Sequence, residues 1–169
     1  MPNIDQIISG HNKSIQANLN ASSTDSSRPC NCRHACALDG NCLTPSVIYQ
    51  ASVTRDDTQT KESYIGLTEG SFKTRFYCHT NSFKNEKQRN ATTLSQYVWS
   101  LKDKNINYSI TWRIITRAKA YSPKTKRCNL CLTEKYYIIC KPLMSTLNNR
   151  NELVSACRHK RKHLLCNIS

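Results

Sequence analysis

The hydrophobic period changes several times between Pro45 and Cys140. Val47-Ile48-Tyr49-Gln50-Ala51-Ser52-Val53 alternates, and the spacing predicts a strand near 46–53. The polar run Thr54 to Thr60 then turns the chain into a second strand near 62–67, around Ser63-Tyr64-Ile65-Gly66-Leu67, so the two read as a hairpin. From Ser71 to Asn81 the period becomes helical, with Phe72, Phe76 and Tyr77 on one side and Arg75 and His79 four residues apart on another. Leu94, Tyr97, Val98 and Leu101 form an i, i+3, i+4, i+7 stripe, which predicts a helix near 92–102 capped by Thr92 or Thr93. Tyr108 to Ile115 alternates bulky and β-branched residues, a third strand, and a helix near 131–140 follows Cys128-Asn129-Leu130-Cys131. The expected fold class is α+β: a small three-stranded antiparallel sheet flanked by helices.

On either side of this region the pattern is weaker. Residues 1–29 are polar and end in a Ser/Thr/Asp run, which reads as a leader or linker with a short helix around Ile4 to Ile8. Residues 30–44 form a cysteine-rich segment, and 45–169 form the main domain. The tail from Asn151 to His163 is helical in pattern and strongly basic.

With 25 Lys and Arg against 11 Asp and Glu in 169 residues, the formal charge is +14, which suits an anionic partner, nucleic acid or anionic lipid, or simply a soluble basic surface. The longest apolar runs, such as Tyr136 to Cys140, fall far short of the roughly 20 residues that cross a bilayer. Met1 to Ser14 carries Asp5, Gln6, His11 and Lys13 where a secretion signal would be apolar, so the expected location is intracellular, in the nucleus. Sequons at Asn12, Asn20, Asn90, Asn107 and Asn167 are of the number that an Asn/Ser/Thr-rich chain produces by chance.

Ten cysteines demand either disulfides or metal. Cys30-x-Cys32-x3-Cys36-x5-Cys42 sets four thiols close enough for a structural zinc site of the knuckle type, with a pair of disulfides as the competing reading. A mobile knuckle ahead of the main domain is expected. Cys128-x2-Cys131 with Cys157 and His159 (or His163) would form a second zinc clamp between the third helix and the tail; a redox CxxC competes, but no βαβ pattern surrounds it. Cys78, Cys140 and Cys166 read as ordinary thiols.

Val47-Ile48-Tyr49 and Tyr64-Ile65-Gly66, followed by Arg75 eleven residues after the second tyrosine, then Glu134 and Asn148, resemble in order the motifs of the GIY-YIG nucleases. The resemblance covers roughly residues 45 to 153, with a long middle insertion. Val47 departs from the motif's first glycine, a backbone feature and not a reacting group. Cys30-Asn31-Cys32-Arg33, Leu38-x-Gly40-x-Cys42-Leu43, Phe72-Lys73-Thr74-Arg75 and Cys157-Arg158-His159 add a similarity to the C-terminal endonuclease region of Penelope-like retroelement polyproteins. In those polyproteins a reverse transcriptase lies upstream, so the chain reads as a terminal fragment, a domesticated domain or a truncated gene product.

The resemblance implies a metal-dependent endonuclease that nicks DNA. Tyr49 would activate water, Arg75 would clamp the phosphate with its forked, always-charged head, and Glu134 would hold one Mg2+ or Mn2+. Tyr64 and His79 would orient water or share proton transfer, and Asn148 would hold the glutamate region by hydrogen bonding. The plainer readings are cross-strand tyrosine packing, a solvated Arg75/His79 face and a surface Glu134. Two other functions compete: a catalytically degenerate zinc-dependent nucleic-acid binding module, and a secreted disulfide-rich polyanion binder.

Overall fold

The computed structural model describes residues 30–33, 35–125 and 127–148. The leader with its expected helix, the basic tail, Cys157, His159, His163 and Cys166 lie outside the described residues.

Three antiparallel strands, β1 (Pro45–Arg55), β2 (Lys61–Ser71) and β3 (Tyr108–Arg117), form one sheet in the order β2-β1-β3. The tight hairpin between β1 and β2 bends through Asp56 to Thr60, with Gln59 in the left-handed region. Between β2 and β3 come α1 (Phe72–Lys84) and α2 (Thr93–Asp103), and after β3 comes α3 (Asn129–Cys140). Each helix starts on a side-chain cap, which satisfies one otherwise orphaned backbone donor. Ser71 accepts from the Thr74 N–H, Thr92 from Ser95, and the Cys128 sulfur from Cys131. All six elements lie where the periodicity predicts them, with strand ends two to four residues longer because the hairpin pairing runs on through Arg55 and Ser71.

Strand alternation divides the core. Val47, Tyr49, Ala51 and Val53 face α1 and α2, packing with Phe72, Phe83, Leu94, Val98 and Leu101. Ile48 and Ile65 face the other way onto Leu130 and Ile138 of α3. Each fully buried Val, Leu, Ile or Phe among them contributes about 1.5–3 kcal/mol. On α1 the buried stripe runs Phe72, His79, Ser82, Phe83, whereas Tyr77 is exposed. The helix has therefore turned relative to the expected apolar side, and His79 lies in the core instead of on a solvated face.

The cysteine segment is docked, not a mobile knuckle. Leu38 and Cys42 are buried in the main core, and Cys30, Cys32 and Cys36 pack on it. The segment also meets the start of α1: the Lys73 N–H donates to the Cys42 carbonyl at 2.7 Å and the Phe72 N–H to Thr44.

Candidate active site and metal centre

Tyr49 stands in the middle of the central strand, fully buried at 0% exposure. Its hydroxyl lies 2.7 Å from His79 Nε2 and accepts a hydrogen bond from Arg75 Nε at 3.0 Å. Arg75 and His79, one helical turn apart on α1, thus grip one phenol oxygen from two sides. Arg75 donates to the phenol oxygen, and when the neutral imidazole carries its proton on Nδ1, Nε2 accepts the Tyr49 hydroxyl proton. Burial, reinforced by the Arg75 charge, lowers the His79 pKa to about 3, so the ring is neutral at physiological pH. Burial pushes the Tyr49 phenol well above its ordinary value; Tyr64 and Glu134 add to this and Arg75 opposes it. Burial also disfavours the Arg75 charge, but the adjacent Tyr49 and Tyr64 outweigh it and the guanidinium stays protonated.

Tyr64 joins the group from β2, its ring 5.9 Å from that of His79. Glu134 sits half-exposed on α3, within electrostatic reach of Tyr49. Four of the predicted site residues thus share one cluster, Tyr49, Tyr64, Arg75 and His79, and Glu134 acts on it through its charge. Tyr49 and His79 lie beneath the surface instead of on it, because the α1 stripe carries them inward. Asn148 is placed differently from expectation. It accepts from the Ile65 N–H at 2.8 Å and donates to the Ile65 carbonyl at 2.9 Å, so it secures the outer edge of β2 beside Tyr64. Leu147 and Thr146 do the same at Ser63, and together these residues cover an otherwise open edge.

Two further residues complete the cluster. Trp112 on β3 packs 5.4 Å from the His79 ring and 5.6 Å from Phe72. The alternation of Tyr108 to Ile115 already points it inward, yet no motif marks it. Gly66 is the register partner of Tyr49, and the ring lies directly over it. Val47, at the place of the motif's first glycine, is fully buried core.

The second constellation is the Cys30, Cys32, Cys36 and Cys42 cluster, whose sulfurs all lie within 4.8 Å of one another. Cys32 and Cys42 are 3.5 Å apart and Cys42 and Cys30 3.6 Å. A tetrahedron with metal–sulfur bonds of about 2.3 Å needs sulfurs about 3.8 Å apart, and disulfide sulfurs sit at about 2.05 Å. The donor set fits a metal such as zinc. The loop reaches this shape through Asp39 and Gly40, both with positive φ. Burial raises the Cys36 thiol, but backbone donors at Leu38 and Gly40 and neighbouring thiols outweigh it, taking it to about 6. Burial and the surrounding thiols push Cys42 up to about 12. Four thiols this close compete for protons, and a divalent cation resolves the competition by taking all four as thiolates.

In the predicted clamp, Cys128 is buried as the α3 cap and Cys131 half-buried one turn on; Cys157 and His159 lie outside the described residues. Among the described residues no helix is long and apolar enough to cross a membrane.

No protein-family profile, curated protein or solved structure matches the chain. The three-stranded antiparallel sheet with its helices is compatible with the GIY-YIG fold and does not by itself identify it.

Proposed function

We propose that this chain is a metal-dependent DNA endonuclease of the GIY-YIG kind, a target-nicking domain of retroelement origin. The observation that carries the reading is the hydrogen-bonded series Arg75–Tyr49–His79, with the Glu134 charge within reach. A phenol alone is a poor base at neutral pH. Tyr49, gripped by Arg75 and His79, would position and polarise the attacking water through its phenol oxygen. As the water oxygen bonds to phosphorus the bond to the leaving sugar oxygen would break, the water proton passing to solvent and the leaving oxygen taking one up. Arg75 would keep its Nε on Tyr49 and offer its remaining N–H groups to the phosphate. Glu134 is the residue to hold Mg2+ or Mn2+, which when bound supplies charge neutralisation at the phosphate and leaving oxygen. One carboxylate suffices for such an ion, since Mg2+ keeps several water or phosphate ligands. The four-cysteine cluster would hold structural zinc. DNA would be bound largely through phosphate contacts from the basic chain, in the nucleus, beside an upstream reverse transcriptase where the polyprotein is intact.

The full burial of Tyr49 and His79 favours a second reading, a zinc-dependent nucleic-acid-binding module without catalysis. Supercoiled plasmid separates the two: nicking that requires Mg2+ and Glu134 supports the nuclease, and binding without nicking under any divalent metal supports the module.

A further inference from the structure

The pairing of β3 with β1 contains a bulge. Gln50 faces Arg113 and Tyr49 faces Ile114, but Ile48 faces Thr116 and Val47 faces Arg117, leaving Ile115 as the extra residue. In an unbroken strand Arg117 would share the face of Arg113, four residues earlier. The bulge moves it to the face of Val47, Tyr49 and Trp112, where the cysteine segment is docked; re-aiming a side chain is a recurrent use of bulges. Arg113 remains on the opposite face, its Nε donating to Gln50 Oε1 at 2.6 Å.

Between the cysteine segment and the edge of β3 lies an open cleft of about 470 Å3. Leu38, Asp39, Asn41 and Thr44 line one side, and Trp112, Ile114 and Arg117 the other, with Arg113 reaching its margin. Its size suits a small-ligand site. Two guanidiniums, one carboxylate, one amide and one hydroxyl surround an apolar middle. Among the described residues neither Arg117 nor Asp39 is in an ion pair. An acidic peptide would match Arg117 and be repelled by Asp39. A nucleotide answers all of these groups: an anionic phosphate, an apolar ring face and, on some bases, an exocyclic amine that donates to a carboxylate.

We propose that this cleft holds one nucleotide of a single strand, with its phosphate on Arg117, its base against Ile114 and Leu38, and a base amine on Asp39. Trp112, shared between the cleft and the His79 cluster, would place that strand beside the candidate active site. The four-cysteine centre would act at a distance by holding the Asp39 wall in place. The proposal rests on the nucleic-acid reading of the chain and not on cleavage.

The test is fluorescence anisotropy with short labelled oligo-dC and oligo-dT, using zinc-loaded protein in Mg2+-free buffer across a salt series. Cytosine carries the amine and thymine does not, so the wild type should favour oligo-dC about fivefold or more. Asp39→Asn should bring that ratio close to one; Asn accepts the positive φ of residue 39, so the loop is kept. Arg117→Ala should make the slope of log affinity against log salt shallower by about 0.7 for both oligonucleotides, and Arg117→Lys should restore it. A wild type that does not bind or shows no dC preference overturns the proposal, as does an unchanged slope in Arg117→Ala or an unchanged ratio in Asp39→Asn. Plasmid nicking separates this from the nuclease reading. A nicking wild type whose cleft variants bind normally overturns only the cleft; a wild type that never nicks but shows the cleft effects overturns only the nuclease.

Discussion

Gly66 stands opposite Tyr49 in the β1–β2 ladder, and a Cβ at Gly66 would overlap the Tyr49 hydroxyl and stand 2.5 Å from its Cζ. The glycine of the second motif is therefore explained by the tyrosine of the first. The ring can lie flat across the sheet toward Arg75 and His79 only because nothing projects from β2 beneath it. Tyr49 is fully buried, so it cannot swing away to accommodate a methyl group.

Gly66→Ala should accordingly cost about 1–3 kcal/mol in urea denaturation, the usual range for overpacking a core. It should also displace the phenol from both of its hydrogen-bond partners. An unchanged midpoint would mean that the ring does not lie where this packing puts it.

His79 gives a pH signature. Its pKa is about 3 in the fold against an ordinary 6.5. Above about pH 6.5 the ring is neutral in both folded and unfolded chains and costs nothing. As pH falls from there toward 3, the unfolded chain takes up a proton that the folded chain refuses, so folding stability is lost, by up to about 1.4 kcal/mol per pH unit. His79→Gln should lose less stability than the wild type between about pH 7 and about pH 5, read from urea midpoints. Parallel curves would contradict a buried neutral imidazole.

The metal centre is testable by stoichiometry. Cys42→Ser should bind one metal ion fewer per chain than the wild type and melt at a lower temperature, because Cys42 carries both a sulfur of the cluster and the carbonyl that receives the Lys73 N–H. Equal metal content in the two proteins would remove the four-cysteine assignment.

Asn148→Ala should cost about 1–3 kcal/mol by leaving the Ile65 N–H and carbonyl without their side-chain partners. Thermal or urea unfolding measures it, and a neutral effect would show that water replaces the amide at this edge.

Much of this architecture was legible from period alone. The change from alternation to helical spacing at Ser71, and the Thr92 cap before Leu94, are local signals that tertiary packing left intact. The rotation of α1 was not legible: Tyr77 and His79 are close in apolar character, and only the docked sheet, with Trp112 and Tyr49 waiting on one side, decides that the histidine goes in. The Asn148 bond to Ile65 joins residues 83 positions apart, so no local pattern foretells it. Nor does the bulge at Ile115, since Ile114-Ile115 satisfies either face. The cysteine spacing announced a cluster, yet its docking on the core depends on Leu38 and Cys42 finding a place beside Phe72 and Tyr49.

The central claim is that Arg75, Tyr49 and Glu134 form a phosphodiester-cleaving site. Its most direct test is the rate at which supercoiled plasmid becomes open circles with Mg2+, measured side by side for the wild type, Arg75→Ala and Glu134→Ala. The wild type should nick, and each variant should fall by about 100-fold or more while binding DNA within a few-fold of the wild type, because one charge among many is lost but a transition-state contact disappears. Equal nicking by all three, or none by the wild type with any divalent metal, would contradict it.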